Sequence, residues 1–317
     1  MDFLSWVILK RQIAEGADGA PTLPFLSNHV GFPPNLIPKI QEETMPDGKP
    51  LAVVTGASSG IGAAYARMLA SQGYDLALVA RRGDRLQQLA DELGSRHHAA
   101  CTVLSADLTS DADLLRVEEF LAGAPNLALL VNNAGFGTMG RFFETPVDSH
   151  DAMHRLHVLA TMRLTHAALR NLVPRGEGAV INVSSVAAFV PRPGSTSYYA
   201  TKAWINHFTE CLDLELKGAG SRVRVQALCP GFTVTEFHDV LGLDRKTILS
   251  GGWWMQAEDV VRASLRGLEK GKVFVVPGWR YKLLVGLLRL LPRGVLHWAV
   301  AKGPPSLRRD QRPVKGA

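Results

Sequence analysis

Residues 51–62 read Leu51-Ala-Val-Val-Thr55-Gly56-Ala-Ser-Ser-Gly60-Ile-Gly62, and a helical pattern follows over 63–72. A short apolar run stopped by glycine reads as a buried strand. The glycines then turn the chain straight into a helix. Such a junction favours an anion: the first helical N–H groups lack partners, the positive end of the helix dipole points the same way, and missing Cβ atoms allow close approach. A tight turn with small residues for helix packing would use the same glycines. Their placement directly after a strand favours dinucleotide binding, with Gly56, Ser58, Ser59, Gly60, Ile61 and Gly62 as the cradle.

The pattern repeats along the chain. Strands are expected at 51–55, 75–80, 98–106, 127–131, 178–183, 222–228 and 272–276, with helices at 84–93, 110–122 and 147–172. Strand–helix alternation at this spacing predicts an α/β fold, a doubly wound parallel sheet of about seven strands with helices on both faces. Ligands on such a sheet sit beyond the strand C-termini. An acid at the end of the second strand would bind a ribose 2′-hydroxyl. Here Ala80 stands there, followed by Arg81 and Arg82. Guanidinium forks suit a phosphate, so NADP is favoured over NAD, with Arg81 ahead of Arg82 on the 2′-phosphate.

The second informative stretch is 184–202, SSVAAFVPRPGSTSYYATK. Tyr198 and Lys202 are four apart and share a helix face. Ser185 stands at the end of an apolar run and thirteen residues before Tyr198. A phenol, an ammonium and a hydroxyl gathered at a strand end suit proton transfer to a carbonyl oxygen. Alone, a Tyr and a Lys four apart are common helix residues. The segment 236–254, with Phe237, Trp253 and Trp254, follows the sixth strand and is placed to cover a substrate or to pack on the body.

Composition narrows the rest. The chain has 317 residues and is 46% hydrophobic, enough for one large α/β domain plus extensions. Its three cysteines, Cys101, Cys211 and Cys229, are far apart and odd in number, which indicates neither a disulfide framework nor a zinc site and fits a reducing, cytoplasmic compartment. The formal charge of +6 is uneven: 278–317 carry nine Lys/Arg against one acid, so the body before them is slightly acidic. No module for nucleic-acid binding accompanies the basic tail. Residues 1–50 hold a short apolar start, Lys10-Arg11 and seven prolines, and read as a largely irregular extension. Residues 279–301 carry Leu283, Leu284, Leu287, Leu288 and Leu291 at helical spacing beside Lys282 and Arg289, broken by Pro292. A basic amphipathic helix of this kind suits a membrane surface, an oligomer interface or packing on its own domain. The tail beyond it reads as disordered.

In order, the motifs TGASSGIG at 55–62, Asp107, NNAG at 132–135, Ser185, Y-x-x-x-K at 198–202 and CPGFTVT at 229–235 resemble those of the short-chain dehydrogenases/reductases. The resemblance covers about 51–278. It implies a Rossmann-type catalytic domain, hydride transfer between NAD(P) and a ketone/secondary alcohol, and homo-oligomers. It implies Tyr198 as acid/base, Ser185 as donor to the carbonyl oxygen, and Lys202 as partner of Tyr198 and of the nicotinamide ribose. Tyr titrates near 10 unperturbed, so work near neutrality asks for about 4 kcal/mol of extra phenolate stabilisation, to which Lys202 and an oxidised nicotinamide would both contribute. Further cofactor contacts are implied for Asp107 with Leu108, for Asn133, Ala134 and Gly135, and for Pro230, Gly231, Thr233 and Thr235. One position departs: where the family usually has an Asn in the long helix after NNAG, this chain has His157, either a tolerated substitution or a proton relay in a catalytic role. The expected substrate is a small hydrophobic carbonyl or alcohol: steroid-like, long-chain 3-oxoacyl or aryl. A non-catalytic NADP(H)-binding redox sensor on the same fold is the alternative. No metal site is expected.

Overall fold

A computed structural model of the protein describes residues 48–237 and 252–302. The irregular extension expected for 1–47, most of the covering segment and the tail beyond 302 lie outside the described residues.

Seven parallel strands form one sheet in the order β3-β2-β1-β4-β5-β6-β7. They are β1 Leu51–Thr55, β2 Asp75–Ala80, β3 Cys101–Ser105, β4 Leu127–Asn132, β5 Ala179–Val183, β6 Arg224–Leu228 and β7 Phe274–Val275. The helices are α1 Gly60–Ser71, α2 Gly83–His97, α3 Asp111–Gly123, α4 Val147–His154, α5 Thr161–Arg175, α6 Thr196–Gly218, α7 Ala257–Glu269, α8 Trp279–Leu290 and α9 Arg293–Lys302. The order reverses between β1 and β4, and a crevice opens beyond the strand ends at such a reversal.

Alternation along each strand divides the core in two. Ala52 and Val54 of β1 face one side with Leu76, Leu78 and Val131, under α1, α2 and α7. Leu51 and Val53 face the other with Val79, Leu130 and Val180, under α3 and α5. With both faces covered, every residue of β1 and β5 is buried, which is why these strands read as unbroken apolar runs rather than alternating ones.

Three boundaries differ from the sequence expectation. Helix α2 runs on to His97, and His98 caps it in the left-handed conformation with φ 52°, so β3 begins only at Cys101. β7 is two residues long because only Phe274 and Val275 pair with β6. The helix expected over 147–172 is not uniform: Arg155–Ala160 form a π-helical segment between α4 and α5. A widened turn of this kind frequently marks a functional position in a helix, and His157 lies inside it.

Under the crevice, a buried polar chain ties the layers together. Asn132 Nδ2 donates to Asn182 Oδ1 at 2.9 Å and to Thr165 Oγ1 at 3.0 Å. Asn182 Nδ2 donates to Thr209 Oγ1 at 3.0 Å. Two strands and two helices are thereby fixed by side chains that have no water to fall back on.

Candidate active site

The first wall of the crevice is the β1–α1 turn. Ser59 precedes α1 without a side-chain capping bond, so the first N–H groups of the helix are left to a ligand. Gly56 has φ +65°, a conformation that suits glycine, and a Cβ there would lie 2.8 Å from Asn133 Nδ2. A Cβ on Gly62 would lie 2.3 Å from the Gly56 carbonyl oxygen, so this glycine is required by the chain's own packing. The adjoining β4 end is clamped to the same turn. Thr55 Oγ1 accepts from the Asn133 and Ala134 amides at 2.9 and 3.0 Å, and Asn133 Nδ2 donates back to the Thr55 carbonyl at 2.9 Å. Thr55 was not singled out in the sequence; its role depends on β1 and β4 lying side by side.

At the end of β2 the two arginines separate. The Arg82 guanidinium lies on the glycine-rich turn, donating to Ser58 Oγ at 3.0 Å and Ser59 Oγ at 3.0 Å, and to Glu236 Oε2 at 2.9 Å. Arg85 holds the other oxygen of Glu236 at 2.7 Å. These hydrogen bonds and charges keep the Glu236 carboxyl below its usual range. Arg81 is exposed, and its charge acts on Asp107. Burial would push the Asp107 carboxyl up, but two hydrogen bonds from Thr109, at 3.0 and 2.8 Å, and the Arg81 charge outweigh it and hold it low. Glu236 and Arg85 carried no sequence signal, because the bond joins residues 151 apart.

The β5–α6 side holds the reactive side chains. Ser184 is buried and donates to the Lys202 carbonyl at 2.9 Å, pinning α6 to the end of β5. Ser185 is half-buried, and its hydroxyl accepts from the Ala187 amide at 3.1 Å at the start of the 3₁₀ turn Val186–Phe189. Lys202 is buried, and its Nζ donates to the Val183 carbonyl at 2.8 Å and lies 5.8 Å from the centre of the Tyr198 ring. Burial pulls the Lys202 ammonium down to about 8. Burial also pushes the Tyr198 phenol up to about 12, with a Ser185 hydrogen bond acting the other way and the Tyr199 charge adding to the rise. In the protein by itself desolvation penalises charge on both groups, so burial opposes the phenolate stabilisation expected jointly from Lys202 and an oxidised nicotinamide.

His157 is 1% exposed and lies between these walls. Its Nε2 accepts from the Phe136 amide at 3.2 Å, which places the proton on Nδ1, and Nδ1 then donates to Thr201 Oγ1 at 3.0 Å. Thr201 passes its own proton to the Tyr198 carbonyl at 3.1 Å. Burial, with the Lys202 and His154 charges, holds the imidazole well below its usual value of 6.5, so the ring is neutral. A Cβ on Gly135 would fall 2.8 Å from His157 Nε2, which joins the NNAG turn to this histidine. His157 Nδ1 thus reaches the backbone of Tyr198 rather than its phenol, though the two rings meet edge to face at 6.0 Å.

Apolar groups close over the phenol. The Phe237 ring lies 5.9 Å from Tyr198, and Phe232 packs on Trp254 at 5.3 Å. Tyr281 of α8 fixes the segment after β6: its hydroxyl accepts from the Phe232 amide at 3.0 Å and donates to the Trp253 carbonyl at 2.8 Å, and its ring lies so close that Gly231 has no room for a Cβ. Pro230 is buried, its carbonyl accepting from Val186 at 3.0 Å, while Thr233 Oγ1 donates to the Gly231 carbonyl at 3.0 Å. A Cβ on Gly60 would meet Thr235 at 3.0 Å, so this segment reaches back to the glycine-rich turn. Leu108 is buried in the core beneath β3 and Ile61 packs on the other face. No cluster among the described residues could hold a metal ion.

Comparison with known proteins covers the same crevice. The family described as short chain dehydrogenase matches residues 50–246. The bovine very-long-chain 3-oxoacyl-CoA reductase is 33% identical over 58% of this chain, and the chain spans 60% of that relative's length. A short-chain dehydrogenase from Sphingobium yanoikuyae, solved in complex with NADPH, is 34% identical, with a TM-score of 0.69 over 84% of this chain and 98% of that one. The bulky-bulky ketone specific alcohol dehydrogenase from Comamonas testosteroni is 33% identical, with a TM-score of 0.65 over 80% of this chain and 99% of that one. Sequence, sheet order and the placing of the motifs around one crevice agree, and the chain belongs to the short-chain dehydrogenase family.

Proposed function

We propose that the protein is an NADP(H)-dependent oxidoreductase of apolar ketones and secondary alcohols, working as a homo-oligomer and chiefly in reduction. The observation that carries this reading is Lys202: a buried lysine held on the Val183 carbonyl, one helical turn from Tyr198 and beside Ser185. A lysine is rarely buried without a partner charge, and perturbed titration of a phenol and an amine together points to proton chemistry.

The residues present fit a nicotinamide dinucleotide. The open α1 N-terminus would receive the pyrophosphate, the Asn133–Gly135 turn would border the adenosine-side ribose, Asp107 would contact adenine, and the 230–235 segment would hold the carboxamide end. When bound, the cofactor would supply the hydride and, in oxidised form, a positive charge that favours phenolate. Ser185 donates to the carbonyl oxygen and orients it. Tyr198 gives that oxygen its proton, and the neighbouring Lys202 ammonium favours the phenolate left behind. His157 acts as a positioning group, holding the Phe136 turn and, through Thr201, the backbone of Tyr198.

Support for NADP is the basic end of β2. The Arg82 guanidinium lies on the glycine-rich turn and the exposed Arg81 precedes it; the NADPH complex of the Sphingobium relative is in keeping with this. Support for an apolar substrate is the aromatic cover of Phe237, Phe232 and Trp254, together with the bulky ketone and very-long-chain acyl substrates in the names of two relatives. The test is nicotinamide binding by fluorescence, NADPH against NADH, followed by NADPH consumption on a panel of apolar ketones. Turnover with NADPH preference is expected. Tight binding with no turnover on any ketone would sink the catalytic reading in favour of a redox sensor.

A further inference from the structure

Helix α8 uses only part of its apolar surface on the body of the protein. Tyr281, Val285 and the half-buried Leu288 face inward. On the other side Trp279, Leu283, Leu287 and Leu290 follow one another at helical spacing and are 70%, 68%, 55% and 83% exposed. Helix α9 repeats the pattern on a shorter scale: Leu296 is buried, while Val295 and Trp298 are exposed. Between Trp279 and Lys302 there are five Lys/Arg and no acid. Arg280 and Arg289 lie against Trp279, Phe189 and Phe274, and Lys282, Arg293 and Lys302 are exposed.

We infer that the outer face of α8 and α9 docks on an anionic lipid surface, lying in it rather than crossing it. Charge decides between the occupants. A two-fold contact with a second copy would set this acid-free, cationic surface against itself. Anionic headgroups complement it, and tryptophan beside lysine or arginine is the composition that favours the headgroup boundary. Shape argues against crossing: among the described residues no single helix is long and apolar enough, and α8 and α9, which reach the length and composition only as a pair, are bent by 120° to one another. The inner face of the same helix gives the surface a purpose. Tyr281 is bonded to Phe232 and Trp253, and Arg289 covers Phe189 four residues after Ser185, so the docked helix is also a wall of the crevice. A substrate dissolved in lipid would reach the crevice from the surface it rests in. The docking inference stands on the helix surface and does not depend on the cofactor assignment.

The test is flotation of the full chain with vesicles of phosphatidylcholine alone or with about a third phosphatidylserine, at low and high salt. The wild type is expected to float with the anionic vesicles, less so at high salt, with a blue shift of tryptophan emission. Leu287→Ser with Leu290→Ser should weaken binding about tenfold or more, given two leucines removed from the buried face. Lys282→Glu with Arg293→Glu should abolish the preference for anionic vesicles; its charges are exposed, so it serves if the serine variant misfolds by circular dichroism. Three results would overturn the inference. One is a wild type that stays with the soluble fraction in both vesicle types. Another is undiminished flotation of the folded serine variant, which would assign binding to the tail arginines Arg308, Arg309 and Arg312. The third is a dimer that the serine substitutions dissociate, which would make the face a self-interface.

Discussion

Replacing His157 by asparagine tests the central geometry of the site. In the native protein the imidazole is buried, neutral and bonded through both nitrogens. In the unfolded chain it titrates near its usual 6.5. Below that value the unfolded state binds a proton that the native state does not, so stability rises with pH up to about 6.5 and falls as the solution is acidified. The slope for one proton is at most about 1.4 kcal/mol per pH unit, for as long as the native ring stays neutral. Asparagine cannot titrate. Urea melts between about pH 5 and 8 should therefore show the wild type losing stability more steeply than His157→Asn over the acid limb, by up to about 1.4 kcal/mol per pH unit, since other groups cancel between the two proteins. Equal acid slopes would mean that the ring is charged or exposed in the native state, and the hydrogen-bond assignment would fall with it. Turnover gives the second reading. His157 touches the Phe136 amide and Thr201, not the phenol, so the variant should keep at least about a tenth of the rate; a fall beyond about a hundredfold, roughly 2.7 kcal/mol, would make it a catalytic group.

Other outcomes follow from the same contacts. Tyr198→Phe should abolish ketone turnover and leave NADPH binding within about twofold by fluorescence titration, since only the proton donor is lost; retained turnover would remove Tyr198 from its role. Arg82→Ala should weaken NADPH about tenfold to a hundredfold, the worth of a charge-assisted bond, with NADH little changed; an equal loss for both cofactors would mean that Arg82 serves the turn alone. Asn182→Leu removes the centre of the buried polar chain and should cost about 3 kcal/mol, a drop of roughly 6–12 °C in Tm by calorimetry. A change under about 2 °C would show that the chain contributes little to stability.

The parts legible in sequence are those whose cause is local. The β1 run and its glycines announce a strand, a turn and an open helix end within twelve residues, and both halves of the doubly wound sheet follow from the spacing of such runs. Tyr198 and Lys202 are legible because one helix carries both. What stayed hidden spans the chain. His157 could be placed in a long helix, but its partners Phe136 and Thr201 lie 21 and 44 residues away. The π-helical segment that carries it has no distinctive composition. Tyr281 reaches Phe232 across 49 residues, so a helix that read only as amphipathic proves to be part of the site's wall. That Arg82 lies on the glycine-rich turn was equally hidden, because it depends on which side chain finds Ser58 and Ser59. The burial that opposes charge on Tyr198 was hidden as well, because only the folded protein displays it.

The bond between Arg82 and Glu236 has an ionic consequence. An anion arriving at Arg82 does not meet a bare cation; it meets a fork already bonded to two hydroxyls and a carboxylate. Both members of the ion pair are nearly half exposed, so the pair is weak and a phosphate dianion can replace the carboxylate. Binding at this point is then an exchange of one anion for another, with little net ion release. Its dependence on salt should be shallower than two exposed arginines would suggest, and the displaced carboxylate, sited beside Thr235 and Phe237, would carry news of the exchange to the cover over Tyr198.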